Sequence, residues 1–211
     1  MIHAILERRS IRKYKPYPIP RPLIEEILKA GILAPSSKNR QPWRFVVVSG
    51  ASKDAALAAM AKGLEREKSN PLIPDSAPYI AGAEHTLKIM EQAPVIIFIL
   101  NTLGVDIHRT LTTDERVSEI CNAQSIGAAI ENMSLAAADL GLGSLWICDT
   151  YFAYEELCRY LGCGDSLSLS GSPIPDRSCG ELFAALAVGY ADESPAPRPR
   201  KSPGDVIEWR I

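Results

Sequence analysis

Residues 35–43 read PSSKNRQPW. The stretch has no hydrophobic period, so it is neither helix nor strand, and it carries a proline near each end. It is a polar loop crowded with short donors and acceptors. Ser36, Ser37, Asn39 and Gln41 present hydroxyl and amide groups that can pair with the carbonyl and imide edge of a flat heterocycle.

The flanks of this loop are regular. Before it, Leu23, Ile24, Ile27, Leu28 and Ile32 recur at helical spacing with Glu25 and Glu26 in the first turn, which predicts a helix from about Pro22 to Leu33. Further back, prolines at 16, 18, 20 and 22 force an extended linker, and residues 2–9 read as a short helix. After the loop, Phe45 to Val48 reads as a strand and residues 52–69 as an alanine-rich charged helix. Turn formers fill 70–82, and a helix follows from about Ala83 to Glu91. Pro94 to Leu100 lacks polar alternation and reads as a strand buried on both sides.

The longest helix is expected from about Asp114 to Leu140, with Ile120, Ala123, Gly127, Ile130, Met133, Ala137 and Leu140 on one stripe. Its small residues (Ala123, Ser125, Gly127, Ala128, Ala129 and Ala136 to Ala138) permit close backbone approach, in a core or across a subunit interface. Gly141 and Gly143 bracket a turn before a strand at Ser144 to Cys148, a short helix at 153–161, a Gly/Ser/Pro-rich loop over 162–180 and a last strand at Leu182 to Val188. The tail ADESPAPRPRKSP cannot fold on itself and must lie across something. Strands interleaved with helices give one α+β or α/β domain over 1–211, with a mobile excursion at about 60–90 and a C-terminal arm at about 191–211.

Composition narrows the functions. The chain has 211 residues, 46% hydrophobic and 23% charged, with a formal net charge of −2, the profile of a soluble globular protein. No apolar run reaches the roughly 18 residues of a membrane span, and MIHAILERRS has no signal core, so a cytoplasmic protein is expected. Five cysteines at irregular spacing read as reduced thiols, and with three scattered histidines they predict no metal site. Charge is unevenly placed. Arg8, Arg9, Arg12, Lys13, Lys15 and Arg21 crowd one end and Arg198, Arg200 and Lys201 the other, which leaves 14 of the 23 basic residues to set against the chain's 25 acidic ones. Two compact basic clusters on an acidic body suit a small anion and argue against nucleic acid.

The sequence holds no GxSxG, GxGxxG or Walker loop, and GLGS at 141–144 follows a helix rather than a strand. An enzyme without its own acid, base or nucleophile borrows reactivity from a cofactor. In RRSIRKY, Arg8, Arg9, Ser10 and Arg12 offer guanidinium forks and a hydroxyl to a phosphate, and RPRK adds Arg198 and Arg200.

These motifs together resemble the FMN-dependent nitroreductase family. Arg8, Ser10 and Arg12 match its R-x-S-x-R/K phosphate motif, PSSKNRQPW its PSSxNxQPW loop, LAAADLGLGSLWI its LGLG--WIG segment and VGYADESPAPRPRKSP its terminal VGYP-E-P-PR-PL. The resemblance covers roughly residues 2–50, 93–101, 118–161 and 180–208. It implies a nitroreductase-like fold, an α+β sandwich with a mixed central sheet flanked by helices, in an intertwined homodimer with two FMN sites built from both chains. Arg8, Arg9, Ser10 and Arg200 would bind the FMN phosphate with Arg198 nearby. Arg12 would face the pyrimidine end, where a cation favours the reduced ring. Pro35, Ser36, Ser37 and Asn39 would come from the partner and line the ring, and Gln41 of the same loop would also bind the cofactor. The strand Trp146–Ile147–Cys148 would pass the flavin, with a backbone N–H near Cys148 or Asp149 facing N5.

The implied activity is ping-pong hydride transfer through flavin N5, from NADH or NADPH to a small acceptor of nitroaromatic, quinone or enone type. The same fold also hosts dehalogenases, azoline oxidases and flavin-fragmenting enzymes, and a non-catalytic FMN-binding module is a further alternative. The chain departs from the pattern at Cys148-Asp149, where glycine is frequent after WI, and at Ser202-Pro203 in the tail. Cys148 reads as a small buried hydrophobe and Trp43 as packing.

Overall fold

The computed structural model describes residues 2–163 and 180–211. Cys179 and most of the 162–180 loop lie outside the described residues. In chain order the elements are α1 (His3–Glu7), α2 (Arg21–Ile32), β1 (Trp43–Ser49), α3 (Gly50–Ser69), α4 (Ile80–Gln92), β2 (Val95–Asn101), α5 (Thr113–Asp139), β3 (Gly143–Ile147), α6 (Tyr154–Leu161), β4 (Glu181–Gly189) and a final turn of helix, α7 (Pro203–Val206).

The hydrophobic run of β2 places it in the middle of the sheet, whose order is β1-β2-β4-β3. Every residue of β2 is buried. Alternate side chains feed two cores: Ile96, Phe98 and Leu100 join Met60, Leu64, Met90 and Leu157 of α3, α4 and α6. Val95, Ile97 and Ile99 join Ile27, Ile126, Ile130 and Met133 of α2 and α5. Burying each of these large side chains is worth about 1.5–3 kcal/mol, so the three-layer α+β arrangement follows from one strand with no polar face. All pairings between named strands are antiparallel. Parallel character, expected of a mixed sheet, enters through the isolated bridge Ser10–Ser144 beside β3.

α5 starts in a capping box in which Thr112 Oγ1 accepts the Glu115 N–H and Glu115 Oε2 accepts the Thr112 N–H at 2.9 Å. It ends at Gly141, whose φ of +74° favours glycine. In the first half of this helix the expected stripe is not the face buried within one chain. Ile120 is exposed there, and the buried face runs through Asn122, Ser125, Ile126 and Ala129. So many small residues leave the hydrophobic period too weak to orient that end.

Within 60–90, α3 and α4 cover one side of the sheet and their connection is drawn onto a buried carboxylate. Glu67 accepts the N–H groups of Leu72 (2.9 Å) and Ile73 (3.0 Å) and pairs with Arg66, which also reaches Glu156 of α6. Among the described residues no helix is long and apolar enough to cross a membrane.

Candidate functional site

The two ends of the chain are zipped together. Ile11 donates its N–H to Ser144 O of β3 (3.0 Å), Lys15 to Tyr190 O (2.9 Å), and Asp192 returns a bond to Lys13 O (2.9 Å). Glu193 Oε1 accepts the Arg12 N–H. Close packing on both sides needs glycine: a Cβ on Gly143 would stand 2.7 Å from Ile11, and one on Gly189 would stand 2.7 Å from Tyr14 and Pro94. Segment 10–15 therefore continues the sheet beyond β3, and the chain leaving β4 runs beside it.

That zipper brings the two basic clusters into one cavity of about 440 Å³, lined by Arg8, Arg9, Ser10, Arg12, Arg198 and Arg200. Each guanidinium with a described contact is oriented. Arg8 Nε donates to Glu131 Oε1 of α5 at 3.1 Å. Arg9 Nη1 donates to Leu6 O (2.6 Å) and Arg8 O (2.8 Å), covering carbonyls at the C-terminus of α1. Arg12 Nη1 reaches Ser10 O (3.1 Å), and Arg200 Nη1 reaches Arg198 O (3.1 Å) and Pro199 O (3.2 Å). A guanidinium has five N–H donors, so each of these side chains keeps donors beyond the contacts just given, and all of them line the same cavity.

The loop 35–43 forms a second cluster. Ser37 donates its N–H to Ser125 Oγ of α5 (3.1 Å), and that hydroxyl donates to Cys121 O (2.7 Å). Ser36 Oγ accepts the Gln41 N–H (2.9 Å), and Gln41 Nε2 donates to Asn39 Oδ1 (3.3 Å). Lys38, Asn39 and Gln41 have φ of +54°, +52° and +49°. Left-handed backbone costs a non-glycine residue about 1–3 kcal/mol, and such strain concentrates at functional sites. Pro35, Asn39 and Gln41 are exposed, Ser36 and Ser37 half-buried, while Trp43 is buried in the core.

A single chain does not join the two clusters. The arginine cavity is not lined by the loop, and among the described residues no hydrogen bond or ion pair links them. Their anchors on α5, Glu131 and Ser125, lie about 9 Å apart along the helix axis and on different faces.

β3 sits beside the arginine segment. Trp146 is 40% exposed, its ring packed over Gly127 of α5, while Ile147 is buried in the opposite core. Cys148 is exposed, not buried as expected, because it lies just past the end of the strand. Partial desolvation and then the neighbouring Asp149 push its thiol pKa up, the opposite of what activates a cysteine. Asp149 in turn accepts a hydrogen bond from Thr86 of α4 at 2.5 Å. Among the described residues Cys121, Cys148 and Cys158 are in no disulfide and no metal-binding cluster occurs.

Sequence reasoning missed Glu131, Glu193 and Ser125, which orient the motif residues from other elements. Two of them are carboxylates, the charge one does not seek around an anion site.

The sequence profile of the nitroreductase family matches residues 5–171, and the chain belongs to that family. A 4-nitrobenzoate reductase of Pseudomonas putida is 38% identical, over 97% of this chain and 91% of its own length. Among solved structures, the FMN- and NADPH-dependent nitroreductase NfnB of Sphigopyxis sp. strain HMH shares the fold with a TM-score of 0.73 at 22% identity, covering 99% of this chain and 98% of the other. A protein of Desulfovibrio desulfuricans classed as a nitroreductase and solved in complex with FMN has a TM-score of 0.64 at 25% identity, covering 100% and 96%.

Proposed function

We propose that this member of the nitroreductase family holds FMN between two copies of the chain and passes electrons from NADH or NADPH to a small, flat, electron-poor acceptor. The observation that carries this reading is the cavity where Arg8, Arg9, Ser10 and Arg12 from one end meet Arg198 and Arg200 from the other. The donor set fits a phosphomonoester: planar guanidinium forks with a hydroxyl among them. FMN held there would supply the redox chemistry, two-electron hydride transfer between a nicotinamide and the acceptor.

The chain's own work is then binding and orientation. Arg8, Arg9, Ser10, Arg198 and Arg200 hold the phosphate. Arg12, further along the extended segment, places a cation toward the pyrimidine end, where it stabilises negative charge. Trp146, Ile147 and Cys148 run alongside the ring. Pro35, Ser36, Ser37, Asn39 and Gln41 supply the polar edge from the second copy. A homodimer is supported by the separation of the two clusters within one chain. It is also supported by apolar side chains left exposed: Ile5 and Leu6 on α1, Leu33 beyond α2, Val117 and Ile120 on α5. The arm beyond α7 likewise exposes Ile207, Trp209 and Ile211.

The Pseudomonas putida relative's name puts nitroaromatic acids first among acceptors to try, with quinones and enones beside them. The test is to add FMN to purified protein, remove the excess, and follow flavin absorbance anaerobically with NADH and NADPH. Retained yellow colour, bleaching by one nicotinamide and recovery with 4-nitrobenzoate or a quinone are expected. Protein that stays colourless after FMN addition overturns the reading.

A further inference from the structure

We infer that Glu131 is a positioning residue for the phosphate site, setting the direction in which Arg8 presents its guanidinium. The inference rests on the FMN reading above and adds to it a residue that no motif contains. Arg9, Arg12 and Arg200 are held by carbonyls within three residues of themselves. Arg8 is held across 123 positions, by a side chain of α5. Its aim therefore depends on a different element from the one that carries it.

The contact uses Nε of Arg8 and one carboxylate oxygen, 3.1 Å apart, with the side chains 27% and 45% exposed. An arginine gripped at Nε keeps the N–H groups of both Nη atoms for another acceptor. The edge this leaves for a ligand is the one suited to two phosphate oxygens. Electrostatics separates positioning from attraction. A carboxylate this close to an anion site repels the anion, so its charge works against affinity while its oxygen works for it.

The two contributions come apart by substitution. Glu131→Gln keeps an oxygen acceptor for Nε and removes the repulsion, so FMN affinity is expected to hold or rise. Glu131→Ala frees Arg8 and is expected to weaken FMN about fivefold, the upper end for a part-exposed ion pair. Riboflavin, which has the ring but no phosphate, should bind wild type and both variants equally. In an Arg8→Ala background, where there is no guanidinium left to position, Glu131→Ala should cause no further loss, and relief of the repulsion should let FMN affinity hold or rise. Flavin fluorescence titrations on the full-length protein read all four outcomes. Equal loss of FMN and riboflavin in Glu131→Ala would mean a structural role and overturn the inference, as would FMN affinity unchanged from wild type. Loss of FMN affinity in Glu131→Gln as large as in Glu131→Ala would overturn it too. Wild-type protein that takes up no FMN at all would instead overturn the function proposed above, a result distinct from any of these.

Discussion

Glu193, just beyond the last strand, accepts the backbone N–H of Arg12 near the other end of the chain. With Asp192 and Tyr190 bonded to Lys13 and Lys15, this contact keeps the two termini in register and brings their arginines together. Glu193→Ala removes the charged acceptor from a backbone donor. We expect it to cost about 1.5–3 kcal/mol of stability, read as a lower urea midpoint, and to weaken FMN retention because Arg198 and Arg200 lose their guide. An unchanged midpoint and unchanged flavin content would show that the backbone bonds at Lys13 and Lys15 suffice.

The arginines themselves should behave as a phosphate-reading set. Arg8→Ala and Arg200→Ala each remove charge-assisted donors from one cavity, and a hydrogen bond to a charged group is worth about 1.5–3 kcal/mol. Each substitution should therefore raise the FMN dissociation constant by at least about tenfold. Riboflavin binding should barely respond. The wild-type preference for FMN over riboflavin should also shrink as salt is raised, since charge pairing at a part-open cavity is screened. Equal effects on both flavins would remove the phosphate from the argument.

Glu67 ties acid stability to the connection between α3 and α4. Desolvation by itself would raise its pKa. The N–H groups of Leu72 and Ile73, with Arg66 and Ser76, outweigh that and hold the carboxyl below its ordinary value. A depressed folded-state pKa means that the stabilisation is complete above the unfolded pKa of about 4.3 and is lost as pH falls through the folded value. Glu67→Gln leaves Arg66 with one buried partner fewer and should cost about 3 kcal/mol at pH 7. The gap between variant and wild type in urea melts should close progressively below about pH 4. A gap that stays constant with pH would assign the cost to packing.

How much of this was legible in the sequence follows from what each signal encodes. Strands such as Val95–Asn101 announce themselves because a run with no polar face must be buried on both sides. The loop at 35–43 was legible as a polar cluster, but not the left-handed backbone of Lys38 and Gln41, since neither residue type signals it. The antiparallel pairing of every named strand is set by how helices carry the chain across the sheet, which periodicity does not record. The face of α5 that one chain buries near Ile120 was not legible, because alanine, serine and glycine there fit either environment. Glu131 and Glu193 were invisible because their partners are remote in sequence, and a carboxylate beside an arginine cluster has no local signature.

The exposed face of α5 gives the sharpest test of a site shared between copies. Val117 and Ile120 are 54% and 52% exposed, roughly two turns and one and a half turns before Ser125, which anchors the polar loop through Ser37. If that face meets a second copy, Ile120→Glu forces a charge into an apolar contact, at a cost several times that of a surface change. We expect the variant to elute as a monomer at micromolar concentration while keeping its helical circular dichroism, and to lose FMN in the same dilution range where it dissociates. Wild-type protein should show one concentration dependence for both mass and flavin content, because the loop at 35–41 and the arginine cavity would act on the same ring from different chains. A monomeric Ile120→Glu that still binds FMN with wild-type affinity would place the whole flavin site within a single chain.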